Sequence, residues 1–355
     1  MRRGLMAWDP EEIPLRVLQE RVQRLQTAMA ASGQDAMIVY TNFIRSAGVS
    51  YLTAFSPYWA DGMLLVPREG EPVFATTLSK RVGSWIQTVK PIGDLVASPA
   101  PGTVLGKRLA EMTGIRRVAI LELDKFPGGL YDELATALPG VEFVDGTETF
   151  ARARSTLDEV ERRLLSKADA IARQALQSLD PREYNLGEAV GAVEKAARLR
   201  GAEEVYIAIA ADLDSSRRFL RLSGNGGLGR RFGIRATVAY KGNWVRCTKT
   251  YSRDEKDRLA IARADARFRE MLSHIDLRRP LTDQIAVIGN ITPDDWIIEA
   301  ASGTTPLAVV ASSKDARANP HHGPALIVSA NATIENVPWC GAGLAALGES
   351  ATRAA

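Results

Sequence analysis

VAYKGNWVRCTKTYS, residues 238–252, consists of two short runs rich in β-branched and aromatic residues on either side of Gly242-Asn243. Such runs around a glycine–asparagine pair read as a β-hairpin. The first strand extends back to Ile234, so the pair covers 234–240 and 244–251. With the turn at Gly242-Asn243, Arg246 lies opposite Ala239. Side chains alternate along a strand, so Arg235, Thr237, Arg246 and Thr248 share one face. No Asp or Glu occurs from Ser215 to Arg253, whereas Arg217, Arg218, Arg221, Arg230, Arg231, Arg235, Arg246, Lys249 and Arg253 all fall there. In the adjacent pairs 217/218 and 230/231, at least one side chain must point away from any single pocket.

Outward from the hairpin, the signals are helical. Ser252 with Glu255 three residues on caps a helix running to about Ile275. Upstream, Thr156 with Glu159 has the same pattern and opens an amphipathic helix through Val160, Leu164, Ala168, Ile171 and Ala175. Asn185 with Glu188 opens a second helix that stops at Gly201, and Val205 to Ala210 reads as a strand. Beyond Ile275, strand-like pieces such as Ala325 to Ser329 alternate with turns.

The first half alternates helix and strand. Leu15, Leu18, Val22, Leu25 and Met29 repeat at helical spacing within Glu12 to Ser32, and Gly33 ends that helix. Ala36 to Tyr40 is a strand, and Met63 to Val66 pairs with Val73 to Thr76 as a hairpin. Val118 to Leu123 and Val141 to Val144 are further strands, with a helix over Asp132 to Leu138 between them. This makes an α/β unit. Residues 146–156 read as a linker, so the expected domains are 1–150 and 151–355.

Composition narrows the function classes. The 355 residues are 46% hydrophobic and 25% charged, the balance of a water-soluble globular protein. No stretch is apolar enough to span a bilayer, and the N-terminus lacks a signal-type apolar segment, so the expectation is a cytoplasmic protein that does not enter a membrane. Two distant cysteines, Cys247 and Cys340, exclude a disulfide framework and a CxxC motif. A net charge of +3 does not by itself imply nucleic acid, and few aromatics interleave the basic stretch. Gly224 to Gly229 fits GxGxxG, but the strand-like RRFGIRATVAY follows where a dinucleotide site needs a helix. Only three histidines occur: His274, His321 and His322.

The order of elements resembles the creatinase/aminopeptidase P family over nearly the whole chain. In the first half the likeness lies in the opening helix, AMIVY (36–40), VSYLTAF (49–55) and MLLVPREGEPVF (63–74). In the second half ARSTLDEVERRLLSKADAIARQAL (153–176), LGEAVGAVEKAARLRGAE (186–203) and the hairpin are similar to the family's pita-bread domain, as is IENVPWCGAGLAALGES (334–350). The resemblance implies an α/β N-terminal domain plus an α+β pita-bread C-terminal domain, in a homodimer. It also implies where a two-cation peptidase site would place its two aspartates, one histidine and two glutamates. The aspartates fall on Arg246 and near Arg235, and one glutamate on Ala330 or Asn331. The other falls near Gly341 or Ala342, and the histidine falls within 301–306, where none exists. A fixed guanidinium at a ligand position repels a cation, so no metal and no other cofactor is expected. The histidine that metal-free creatinase uses falls near Arg221.

Two expectations follow. The first is a metal-independent, creatinase-like hydrolase acting on a C–N bond of a small carboxylate-bearing substrate. His321 or His322 would carry the proton and Glu335 would be a second acid. Arg235 and Arg246, with Arg221 and Thr248, would bind the anion, because guanidinium pairs bidentately with carboxylate. Arg246→Ala is then expected to abolish anion binding. The second expectation is a non-catalytic pita-bread protein that binds an anionic ligand or a macromolecule. On that reading His321 and His322 are an exposed loop after Pro320. The sequence leaves open whether Glu299 and Glu335 line the pocket.

Overall fold

The structure is a computed structural model and describes residues 8–42, 45–55, 60–89, 93–182, 184–221, 224–275, 294–303, 306–315 and 324–345. The described residues divide into two compact units. The first reaches Ser155; the second runs from Thr156 to Ser302 and again from Pro306.

In the first unit, α1 (Leu15–Ala31) buries Val17, Leu18, Val22, Leu25 and Met29 along one stripe. It is followed by β1 (Ala36–Thr41), α2 (Ala47–Thr53), β2 (Gly62–Pro67), β3 (Val73–Thr76), α3 (Gly83–Val89) and β4 (Asp94–Ala97). Next come α4 (Pro101–Ala110), β5 (Arg117–Ile120), α5 (Gly128–Ala137), β6 (Glu142–Asp145) and α6 (Thr147–Ala153). The strands form one mixed sheet in the order β4-β3-β2-β1-β5-β6. Its hairpin joins β2 and β3, and β1 pairs with β5 in parallel. The expected linker at 146–156 is mostly α6. Phe150 is the physical reason: it is buried and packs edge-on against Tyr51 at 6.1 Å.

The second unit opens with α7 (Glu159–Gln177), α8 (Leu186–Leu199), β7 (Glu204–Ala210), β8 (Arg231–Tyr240) and β9 (Asn243–Ser252). It continues with α9 (Glu255–His274), β10 (Asp295–Ala300), β11 (Val309–Ser312), β12 (Leu326–Ile334) and β13 (Val337–Leu344). Asn185 and Glu188 form the reciprocal capping box of α8. The other two caps differ from expectation. Asp158 caps α7 by accepting from Glu161 N at 2.8 Å, and Asp254 caps α9 by accepting from Lys256 N at 3.0 Å. In each case an aspartate adjacent to the helix outcompetes the hydroxyl residue two positions earlier.

The seven strands form an antiparallel sheet in the order β11-β10-β12-β13-β9-β8-β7. On one side lie α7 and α9. Ile261, Ala264, Phe268 and Leu272 of α9 pack there on Ile298, Leu326, Val328, Ala330 and Trp339. Alternation therefore sends Ile297 and Glu299, Ile327, Ser329 and Asn331, and Cys340 and Ala342 to the opposite side. Among the described residues, no helix is long and apolar enough to cross a membrane.

Candidate functional site

The hairpin that decides the fold turns one residue earlier than its sequence suggests. Tyr240 pairs with Asn243, so the two-residue loop is Lys241-Gly242, with φ of 47° and 73°. Positive φ at both positions is the turn that matches strand twist, and glycine takes the second position at no steric cost. Asn243 stays in the strand and donates to Lys241 O at 3.0 Å. Consequently Arg246 lies opposite Thr237, not Ala239, and Arg235 lies opposite Thr248. The register moves by two residues, so the four side chains keep a common face.

That face is the one opposite the helices. Arg246 Nε donates to Thr237 Oγ1 at 3.2 Å, and its Nη1 pairs with Glu299 of β10. Glu299 is buried, at 4% exposure, and sits beside a register break between β10 and β11. Such bulges re-aim side chains near sites. Its Oε2 and the Ser329 hydroxyl on the neighbouring strand are buried without hydrogen-bond partners among the described residues. Arg235 Nε donates weakly to Thr248 Oγ1 at 3.4 Å, and its guanidinium lies 4.2 Å from the Phe219 ring centre. Phe219 can lie there because Gly233 has no side chain: a Cβ would meet the ring at 2.9 Å.

The charges do not balance. Arg246 and Glu299 neutralise each other, whereas Arg235 has no carboxylate partner among the described residues. Burial, and then the charge of Arg246, pulls the Arg235 guanidinium down to about 10. It is still protonated at neutral pH. Nearby, Tyr206 and Trp244 stack at 5.8 Å, and Arg221 covers the Tyr206 ring at 4.5 Å. The segment carrying Arg217, Phe219 and Arg221 is held by a two-way backbone bridge between Leu220 and Ile209. Arg217 is committed to Asp294 and Thr333.

Thus Arg221, Arg235, Arg246 and Thr248 come together on one face. Glu335 does not join them. It occupies the β12–β13 turn at φ 52° and pairs with Arg263 of α9 at 2.6 Å, on the helix side of the sheet. His321 and His322 lie outside the described residues. Glu299 is the residue that sequence reasoning left open. Its signal was a lone acid in the apolar run WIIEAA, in a chain whose basic hairpin lacks any acid of its own.

The donor set does not suit a pair of metal ions. At the positions where the resemblance puts carboxylates, the face presents Arg235, Arg246, Asn331 and Ala342, while Ala330 and Gly341 face the helices. Among the described residues no three His, Cys, Asp or Glu side chains group as metal ligands. Glu299, the buried carboxylate beside the two arginines, is already neutralised by a guanidinium.

A mixed-sheet unit followed by an antiparallel sheet backed by long helices defines the prolidase-like pita-bread class. Residues 21–156 match the creatinase/prolidase N-terminal domain family. Solved structures with the same fold include the X-Pro aminopeptidase of Thermotoga maritima MSB8, with TM-score 0.70, 14% identity, and coverage of 91% of this chain and 96% of that one. The prolidase of Pyrococcus horikoshii OT3 gives 0.66, 16%, 92% and 93% on the same measures. The Xaa-Pro dipeptidase of Bacillus anthracis gives 0.66, 16%, 94% and 98%. At such identities the likeness establishes the fold. No curated protein matches the sequence.

Proposed function

We propose that the chain binds a small carboxylate-bearing molecule, without metal, on the face that carries Arg235 and Arg246. One observation carries the reading: Arg235 is a partly buried guanidinium with no carboxylate partner among the described residues, beside an arginine that already has one. A ligand carboxylate would supply the missing charge through a bidentate pair. Thr248 helps set the angle of Arg235, and Arg221 with Tyr206 and Trp244 offers a flat wall for the rest of the molecule.

The test is calorimetric titration of chelator-treated, desalted protein with dipeptides, N-acyl amino acids and guanidino acids. At least one class should bind, and Arg235→Gln should weaken it about ten- to a hundred-fold, the range for a charge-assisted hydrogen bond. Absence of heat with every class overturns the reading. So does stoichiometric metal in protein purified without chelator.

A second reading adds hydrolysis of a C–N bond in that ligand, and the partnerless Glu299 Oε2 favours it. Water would give a proton to Glu299 as its oxygen bonds to the carbonyl carbon. The proton would then pass to the leaving nitrogen as the C–N bond breaks. One water is consumed; one acid and one amine form. Amine release from a bound ligand, lost in Glu299→Gln, is the expected result. Binding without release removes this second reading and leaves the first.

A further inference from the structure

We propose a second binding site, on the helix side of the seven-stranded sheet, for a small organic monoanion with an apolar body. A cavity of about 260 Å³ lies between α7 and α9, over β9 and β13. It shares no charged side chain with the arginine face and is independent of the function proposed for that face.

Its origin is in the sequence of β13. Gly341 and Gly343 alternate on the helix-facing side, so the floor there has no side chains. A Cβ at Gly341 would lie 2.3 Å from the Trp339 indole, and one at Gly343 would lie 2.9 Å from Leu272. The indole is therefore laid along the strand, with Phe268 against it edge-on at 5.2 Å. Leu176 and Leu272 complete an apolar patch of the lining. The thiol of Cys247 also faces the cavity. It donates to Asp169 at 3.3 Å, and burial pushes it well above the usual thiol range, so it stays neutral.

The charged lining is lopsided. Arg173, Lys249 and Arg269 face a single acid, Asp265. Asp265 accepts from Lys249 at 3.3 Å and from the Trp339 Nε1 at 2.8 Å. Arg173 pairs with Asp169 at 2.6 Å. Arg269 donates from Nε to the backbone carbonyl of Asp265 at 3.1 Å, and no carboxylate pairs with it among the described residues. A polar pocket with an apolar patch of Trp339, Phe268, Leu176 and Leu272 and one unneutralised guanidinium at its edge selects an anionic head on an aromatic or branched body. The volume, slightly below the usual range for drug-sized ligands, limits that body to about one ring.

The experiment titrates the full chain, labelled with ¹⁵N-tryptophan, with 3-phenylpropionate. The indole N–H signal of Trp339, assigned through Trp339→Phe, should shift and saturate. Arg269→Glu, on an exposed helix surface, should weaken the interaction about ten-fold or more, and Arg235→Gln should leave it unchanged. The neutral 3-phenylpropionamide should bind about ten-fold more weakly than the acid. A Trp339 signal that does not shift overturns the site. A shift lost in Arg235→Gln and kept in Arg269→Glu also overturns it. An amide that binds as tightly as the acid overturns the choice of an anion.

Discussion

The two sides of the seven-stranded sheet are built by different physics. On the helix side, shape decides. Val328, Ile298 and Trp339 are closed over by α9, and burial of apolar area is the main stabilising term. On the opposite side, charge decides. Arg246, Glu299, Arg235 and two threonines occupy positions where a helix-facing strand would carry Val or Leu. This face carries its positive charge in covalent form, on Arg235 and Arg246. The sheet tolerates these charges because its apolar cluster lies on the other side.

The largest expected effect tests that division directly. Arg246→Ala leaves Glu299 buried with neither oxygen paired, and should destabilise the chain by about 3–5 kcal/mol in urea unfolding. The double substitution Arg246→Leu with Glu299→Leu should recover most of the loss, because it removes both charges and fills the space. If the single change costs less than about 1 kcal/mol, the pair is solvated and the contrast between the faces fails. Arg235→Met should act in the opposite direction. The depressed guanidinium marks a charge held at a cost, so its removal should raise stability by on the order of 2 kcal/mol. The same change should abolish carboxylate binding, the trade-off expected when a site is kept at the expense of stability. A variant that is both less stable and still able to bind would sink this account of Arg235.

Much of the charged face was legible in the sequence, because strand alternation is strict. Arg235, Thr237, Arg246 and Thr248 share a face in any register of the correct parity, and an error of two residues in pairing left that result intact. The missing acids were equally plain, since an uninterrupted basic stretch admits no carboxylate ligand. Partners that come from distant strands were not legible. Glu299 meets Arg246 only because β10, β12, β13 and β9 stand side by side, and no local pattern encodes that order. The same holds for Phe219, which reaches Arg235 through a bridge at the sheet edge and a glycine on the next strand. Helices start two residues later than the sequence suggests where an aspartate stands closer than the expected hydroxyl, and α6 reads as a linker because about two turns carry little periodic signal.

The smallest predicted effect concerns how the charged face is held at its end. The Lys241-Gly242 turn sets the pairing of both arginines, and Glu203 secures it by accepting from Gly242 N at 3.3 Å. Burial pushes the Glu203 carboxyl up to about 7, against the lowering effect of that bond and of Lys241. An acid whose folded value is raised binds more protons folded than unfolded across the window between the two values. Stability from this group is therefore full below the ordinary glutamate range and falls as pH climbs to about 7. Glu203→Gln cannot lose the proton and should not follow that slope. The wild-type chain should thus lose on the order of 1–2 kcal/mol relative to Glu203→Gln between pH 4.5 and pH 8. Urea unfolding of both proteins at each pH gives the difference, and the other acids cancel in it. No pH-dependent difference would mean that the turn is held by its backbone geometry alone. The charged face would then be anchored, like the helix side, by shape.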